Sequence, residues 1–228
     1  MVFMDNSTPH RAAAYDTEIL KTIPYYNTFH AETIDLAGAV CPAPKVWLDT
    51  GCGTGTLAEK AMASFPETLF ILSDPSEAML ETAKMRFAGN DRVVFLEPSA
   101  TEDLSEDIGF KPDIITAIQA HHYLSPPGRR RATEVCFDLL QPGGLFVTFE
   151  NVAPFSGSGI DIVRQRWGGF QLSRGRTHTQ VDSHLARYGK EYLPITVEEH
   201  LALYRGCGFS TVELLWYSCM QAGFYCIK

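Results

Sequence analysis

Short apolar runs punctuate the first two thirds of the chain and alternate with stretches of helical period. The runs are Val46-Trp47-Leu48, Leu69-Phe70-Ile71-Leu72, Arg92-Val93-Val94-Phe95-Leu96, Asp113-Ile114-Ile115-Thr116-Ala117-Ile118 and Leu145-Phe146-Val147-Thr148-Phe149. They predict strands over 45–51, 68–74, 92–96, 113–118 and 145–149. Runs this apolar, without strict alternation, suit strands buried on both faces. Between them, helices are predicted over 55–65, from Pro75-Ser76-Glu77 onward, and over 126–140. Before them, residues 12–38 read as helical with a break at Pro24.

The rhythm changes after residue 150. Residues 152–195 hold several glycines and arginines with little strand period, and only 160–167 reads as helix. Thr196 then caps a helix, with Glu199 at the capping-box position, and the helix ends near Gly206. Strands over 211–217 and 223–227 close the chain as an antiparallel hairpin. The expected architecture is α/β: a Rossmann-like, seven-stranded, mostly parallel sheet, helices on both faces, a C-terminal antiparallel strand and a lid insertion. Residues 1–228 form one domain in this reading, with 1–40 as a helical lid and 152–195 contributing to a second ligand site.

Composition narrows the function classes. The 228 residues suffice for a sizeable core, and 45% are apolar. A formal net charge of −8 disfavours a generic nucleic-acid binder, which relies on Lys and Arg. No apolar stretch approaches the roughly 20 residues of a membrane span. Met1-Val2-Phe3-Met4-Asp5 lacks a basic segment followed by an apolar core, so no secretory signal is expected. Cysteines at 41, 52, 136, 207, 219 and 226 lack zinc-ligand spacing and read as reduced thiols of a cytoplasmic protein. No metal site is expected.

The densest chemical signal is Asp49-Thr50-Gly51-Cys52-Gly53-Thr54-Gly55, set between the first strand and a helix. Such glycines permit positive φ and close backbone approach to a ligand. Asp74 ends the second strand, nineteen residues after Gly55, where an acid can accept both ribose hydroxyl protons. A dinucleotide fold spaces its third glycine one position later, which disfavours an NAD-dependent oxidoreductase.

The Asp-x-Gly-x-Gly-x-Gly string and Asp74 resemble motif I and the following acid of class I S-adenosylmethionine-dependent methyltransferases. The turn Gln141-Pro142-Gly143-Gly144 before the fifth strand strengthens the likeness, which covers residues 45–150. Ile23-Pro24-Tyr25-Tyr26 and the ending from Leu215 to Lys228 resemble the carboxy-S-adenosylmethionine synthase branch, whose members serve tRNA wobble-uridine modification. The resemblance implies S-adenosylmethionine as cofactor and S-adenosylhomocysteine as product. It implies a cofactor site from Tyr26, Asp49, Gly51, Cys52, Gly53, Asp74, Pro75, Ala100, Thr101, Ile118 and Gln119. Two departures stand out. Ala100 occupies the place of the family's adenine-contacting acid. Arg187 falls two residues from the arginine with which the synthases hold the cofactor's extra carboxylate.

Acceptor chemistry is expected at the carboxyl ends of strands four and five. Strand four ends in Gln119-Ala120-His121-His122-Tyr123, and imidazole titrates near neutrality, so His121 and His122 are the candidate general bases. Glu150 is placed to bind a cationic acceptor, to orient a histidine or to pair with an insertion arginine. Tyr26, Trp167 and Tyr188 are candidates for an aromatic lid. The reading is a methyltransferase acting on a small-molecule acceptor, with no membrane partner, nucleic acid disfavoured and a homodimer left open. The alternatives are a synthase of carboxylated cofactor for tRNA modification and a non-catalytic cofactor-binding protein.

Overall fold

A computed structural model describes residues 8–105 and 107–228. The segment Met1–Asp5, on which the absence of a secretory signal rests, lies outside the described residues, as do the first seven positions of the expected N-terminal lid.

Seven strands form one sheet: β1 (Val46–Thr50), β2 (Leu69–Ser73), β3 (Val93–Phe95), β4 (Ile114–Ile118), β5 (Leu145–Asn151), β6 (Thr211–Ser218) and β7 (Gln221–Ile227). Their spatial order is β3-β2-β1-β4-β5-β7-β6. The first five are parallel, and β7 runs antiparallel between β5 and β6. Strand order therefore reverses beside β1 and β4, opening a crevice at their carboxyl ends. The expected fold class holds, including the C-terminal hairpin.

Adjacent residues of each central strand feed opposite cores. Trp47, Phe70, Leu72, Ile114 and Val147 pack on one side of the sheet. Leu48, Ile71, Ile115 and Phe146 pack on the other. Both faces are covered, which is why the sequence shows continuous apolar runs instead of alternation.

The helices are α1 (Tyr15–Thr22), α2 (Tyr26–Val40), α3 (Thr56–Ala61), α4 (Glu77–Arg86), α5 (Pro126–Leu139), α6 (Gly157–Ser173), α7 (His178–Leu185) and α8 (Val197–Gly206). The expected break at Pro24 is a left-handed residue, Tyr25, at φ +63°. Differences concentrate in the insertion. There α6 extends well beyond the predicted 160–167, and α7 was not predicted. Gly168 and Gly169 lower helix propensity inside α6. Yet a Cβ on Gly168 would lie 3.4 Å from both Val181 and Leu185 of α7, so the missing side chain lets the two helices approach. The helix is retained by packing that local propensity does not report. The α7 start has a legible signal, a capping box of Thr177 with Gln180.

No helix among the described residues is long and apolar enough to cross a membrane. All six cysteines are free thiols.

Candidate cofactor and acceptor site

The three glycines after β1 all adopt left-handed backbone, at φ +72° for Gly51, +55° for Gly53 and +82° for Gly55, but they serve different ends. A Cβ on Gly51 would meet the Ala120 Cβ at 2.7 Å, and one on Gly55 would meet the Phe87 ring at 2.6 Å. Those two glycines let the turn pack on the loop after β4 and on the end of α4. At Gly53 the nearest atom among the described residues is on the Tyr15 ring, 4.0 Å away. Gly53 faces open space, a cradle that a side chain would fill.

Asp74 is fixed from both sides. The Gly53 N–H donates to its Oδ2 at 2.9 Å and the Ser76 N–H to its Oδ1 at 2.8 Å. Burial raises the carboxyl above its usual range, against these two bonds. Asp49 is deeper still. Burial pushes its carboxyl up to about 7, and the Asp74 charge adds to the shift, although Thr116 Oγ1 donates to it at 2.7 Å. The cysteine in the turn is buried, its N–H donating to the Ser73 carbonyl at 2.9 Å.

These residues open onto a cavity of about 310 Å³. Gly51, Gly53, Asp74 and Pro75 form one wall, Ala100 and Thr101 another, and Ile118, Gln119 and His121 a third. Tyr15 and Tyr123 complete the rim. Tyr26, Asp49 and Cys52 instead line a small recess on the other side of the turn, which also touches Gly51, Gly53 and Ile118. The residues proposed from sequence thus come together around one turn, divided between the cavity and this recess.

The strand-four histidines separate. Both sit in a short 3-10 turn, His121–Tyr123, and both are buried. The His122 ring binds Glu150 Oε2 through Nδ1 at 2.6 Å and Asn151 Nδ2 through Nε2 at 2.8 Å. It is not among the residues lining the cavity. Glu150 also accepts the N–H groups of His121 and His122, at 3.1 and 2.9 Å, and the Thr148 hydroxyl at 2.7 Å. Burial would raise this carboxyl, but the hydrogen bonds it accepts from His122 and the other donors hold it down at about 2. Of the three roles open to Glu150, orientation of a histidine is the one its contacts carry. His121 does line the cavity. Its ring stacks near Phe146, 6.2 Å between centroids, and neither ring nitrogen has a hydrogen-bond partner among the described residues. Burial lowers it to about 4, so it is neutral at physiological pH.

The aromatic lid differs from expectation. Trp167 donates its Nε1–H to the Thr22 carbonyl at 2.6 Å and packs edge-on to His184, making it a strut under α1. Tyr188 is half-buried against Tyr192 and Arg164. Tyr15 and Tyr123 fill the covering role. Behind them lies an inner recess bounded by Thr22, Gln119, Asn151, His184 and Tyr192. Sequence reasoning passed over Tyr15, although its i,i+4 pairing with Ile19 marks the buried face of α1. It also missed the clasp on that helix. Asp16 accepts from the hydroxyls of Thr54 and Thr56 at 2.5 and 3.2 Å and pairs with Arg86, which also binds Glu59 at 2.6 Å. Four insertion arginines have protein partners: Arg164 on the Leu185 carbonyl, Arg174 over Phe170, Arg176 on Thr22 and Arg187 on Glu191.

Residues 48–146 match the family model described as a methyltransferase domain. The chain is 24% identical to carboxy-S-adenosyl-L-methionine synthase of Helicobacter hepaticus, over 90% of this chain and 87% of that one. It superposes on N-methyltransferase NodS of Bradyrhizobium japonicum, solved with S-adenosylhomocysteine, with a TM-score of 0.66 at 15% identity, covering 95% and 94% of the two chains. Human N-acetylserotonin methyltransferase, solved with S-adenosylmethionine, gives a TM-score of 0.57 at 18% identity over 95% of this chain, which spans only 58% of that one. Residues 48–146, which carry the glycine turn, match the methyltransferase domain family, and the fold around them is that of class I S-adenosylmethionine-dependent methyltransferases. Within that family it is similar to the carboxy-S-adenosylmethionine synthases along nearly its whole length.

Proposed function

We propose that this chain is an S-adenosylmethionine-dependent methyltransferase acting on a small-molecule acceptor. The carrying observation is the cavity whose floor is Gly53, with open space above its Cα and the fixed Asp74 carboxylate beside it. Those residues fit a nucleoside with a short amino-acid arm. The cofactor supplies an electrophilic methyl carbon on a positive sulfur: the acceptor's nucleophile bonds to that carbon, and sulfur keeps the electron pair of the broken bond.

The protein's share is alignment, exclusion of water and custody of a proton. Asp74 accepts ribose hydroxyls with its remaining lone pairs, and the apolar surface around Met79 and Ala100 suits adenine. Asp74 places a carboxylate beside the cationic cofactor. Tyr15 and Tyr123 shield the cavity. His121 is the proton-accepting candidate, because its nitrogens are uncommitted. His122 is a positioning group. The N-terminal helices act as the lid, and the insertion buttresses it. Free thiols fit a cytoplasmic enzyme, and the net charge of −8 disfavours a nucleic-acid partner.

A second reading, synthesis of a carboxylated cofactor, is favoured by the likeness to the Helicobacter hepaticus synthase, whereas Arg187 pairs with Glu191 and is not among the residues lining the cavity. Mass spectrometry of ligand released from the purified protein separates the two. S-adenosylmethionine or S-adenosylhomocysteine supports the methyltransferase, and a carboxylated species supports the synthase. Absence of any adenosyl ligand, with no S-adenosylhomocysteine binding by calorimetry, would overturn both.

A further inference from the structure

A chain of buried side chains runs from Glu150 to the cavity wall, and its direction is fixed by chemistry. Glu150 is fully buried and surrounded by donors, and an ionised carboxylate can only accept. The His122 Nδ1, 2.6 Å from Glu150 Oε2, therefore carries its proton. Asn151 turns its Nδ2 to the other ring nitrogen at 2.8 Å, and an amide nitrogen can only donate, so Nε2 accepts with its lone pair. That turns Asn151 Oδ1 toward Gln221, whose Nε2 donates to it. Gln221 Oε1 is left to accept from Gln119 Nε2 at 3.0 Å. The other Gln119 amide proton goes to the Phe149 carbonyl at 3.2 Å. Both donors of Gln119 are now used, and Oε1 remains.

Gln119 is built for this place. Its backbone is left-handed, at φ +58°, a conformation unfavourable for a residue with a Cβ. Its N–H donates to the Phe149 carbonyl at 2.7 Å. It borders both the main cavity and the inner recess. It stands across β1 from Asp74, because β4 and β2 flank that strand. A cofactor whose ribose lies at Asp74 has its adenine and its amino-acid arm on opposite sides. The wall of Met79 and Ala100 is apolar, whereas the Gln119 side adjoins the carboxyl-bearing end of β1.

Resting on the S-adenosylmethionine reading, we infer that Glu150 is a positioning residue for the cofactor. Through His122, Asn151 and Gln221 it holds the Gln119 amide with its oxygen toward the ligand, and that oxygen accepts a hydrogen bond from the cofactor's α-ammonium group. A carboxylate distant from the ligand thereby selects a donor over an acceptor at this point of the cavity.

The test has one arm without ligand and one with. Ring nitrogen shifts of labelled histidine in the wild-type protein at neutral pH should show His122 as the neutral Nδ1–H tautomer. The Nε2–H tautomer would overturn the relay. Calorimetry then compares S-adenosylhomocysteine with its analogue lacking the α-amine. Wild type should favour the amine by about tenfold or more, the scale of a charge-assisted hydrogen bond. Gln119→Leu should abolish that preference, and Gln221→Leu should reduce it severalfold. Gln221→Glu keeps an acceptor toward Gln119, so the preference should return. There Asn151 must turn, and His122 Nε2 should gain a proton. An unchanged preference in Gln119→Leu would overturn the ammonium assignment, and an unchanged one in Gln221→Leu the positioning role. If a Gln221 variant does not fold, the wild-type tautomer and the Gln119→Leu comparison still decide. Failure of wild type to bind S-adenosylhomocysteine would instead overturn the cofactor reading.

Discussion

Single residues carry the sharpest expectations. Gly53→Val adds a β-branched side chain where φ is +55° and where it would enter the cavity. Calorimetry on the folded variant should show no S-adenosylhomocysteine binding, and wild-type affinity would move the cofactor elsewhere. Asp74→Ala should weaken S-adenosylmethionine and S-adenosylhomocysteine alike, since both carry the ribose, by roughly 1.5–3 kcal/mol. An effect on the methylated form alone would remove Asp74 from the ribose. The two histidines should part company. His121→Asn should lower turnover by on the order of 10²-fold with cofactor affinity nearly unchanged. His122→Asn should chiefly lower stability, because it leaves buried Glu150 without its Nδ1 partner. Since burial holds His121 at about 4, the wild-type rate should rise with pH through that value and lie flat from there toward neutrality. A rate still climbing near pH 6.5 would assign the proton to another group.

At the scale of elements, a clasp ties α1 to the glycine turn. The Asp16 carboxylate joins α1 to Thr54 and Thr56 at the start of α3 and to Arg86 at the end of α4. Asp16 is partly exposed, so the ion pair is screened and modest, about 0.2–1 kcal/mol. Asp16→Ala should speed hydrogen exchange across Tyr15–Thr22 and weaken S-adenosylhomocysteine binding about two- to fivefold, leaving the sheet's protection intact. Equal exchange in wild type and variant would mean that Trp167 and the core contacts of Tyr15 and Ile19 hold the helix unaided.

Across the whole molecule, five buried histidines are held uncharged. Burial lowers His10 and His121 to about 4 and His30, His184 and His200 to about 3. The unfolded chain takes up these protons near pH 6.5, so between there and about 4 the unfolded state binds more of them and stability falls as pH falls. Glu150, depressed to about 2, adds a loss of the same sign below about 4.5. Asp49, raised to about 7, acts oppositely, since its folded form keeps a proton that the unfolded chain releases above about 4. Asp74, also raised by burial, acts in the same sense as Asp49, and five histidines outweigh these two carboxyls. The melting temperature should drop steadily from pH 7 to pH 5, and a rise over that interval would contradict the burial of these rings.

The sequence by itself determined what is local or periodic. Apolar runs gave five parallel strands, buried except for the half-buried edge strand β3, and the capping box at Thr196 gave α8. The spacing of Gly51, Gly53 and Gly55 before Asp74 marked the turn, because backbone sterics bind those residue types to that conformation. Tertiary structure decided what depends on meetings between distant segments. Gly168 reads as a helix breaker until α7 packs on it. His121 and His122 are equivalent neighbours until Glu150, twenty-eight residues beyond His122, claims one ring and leaves the other at the cavity. Gln119, Asn151 and Gln221 look like unrelated polar residues, since a hydrogen-bonded chain spanning β4, β5 and β7 has no period in sequence. Its direction follows only once the buried carboxylate at its far end is in place.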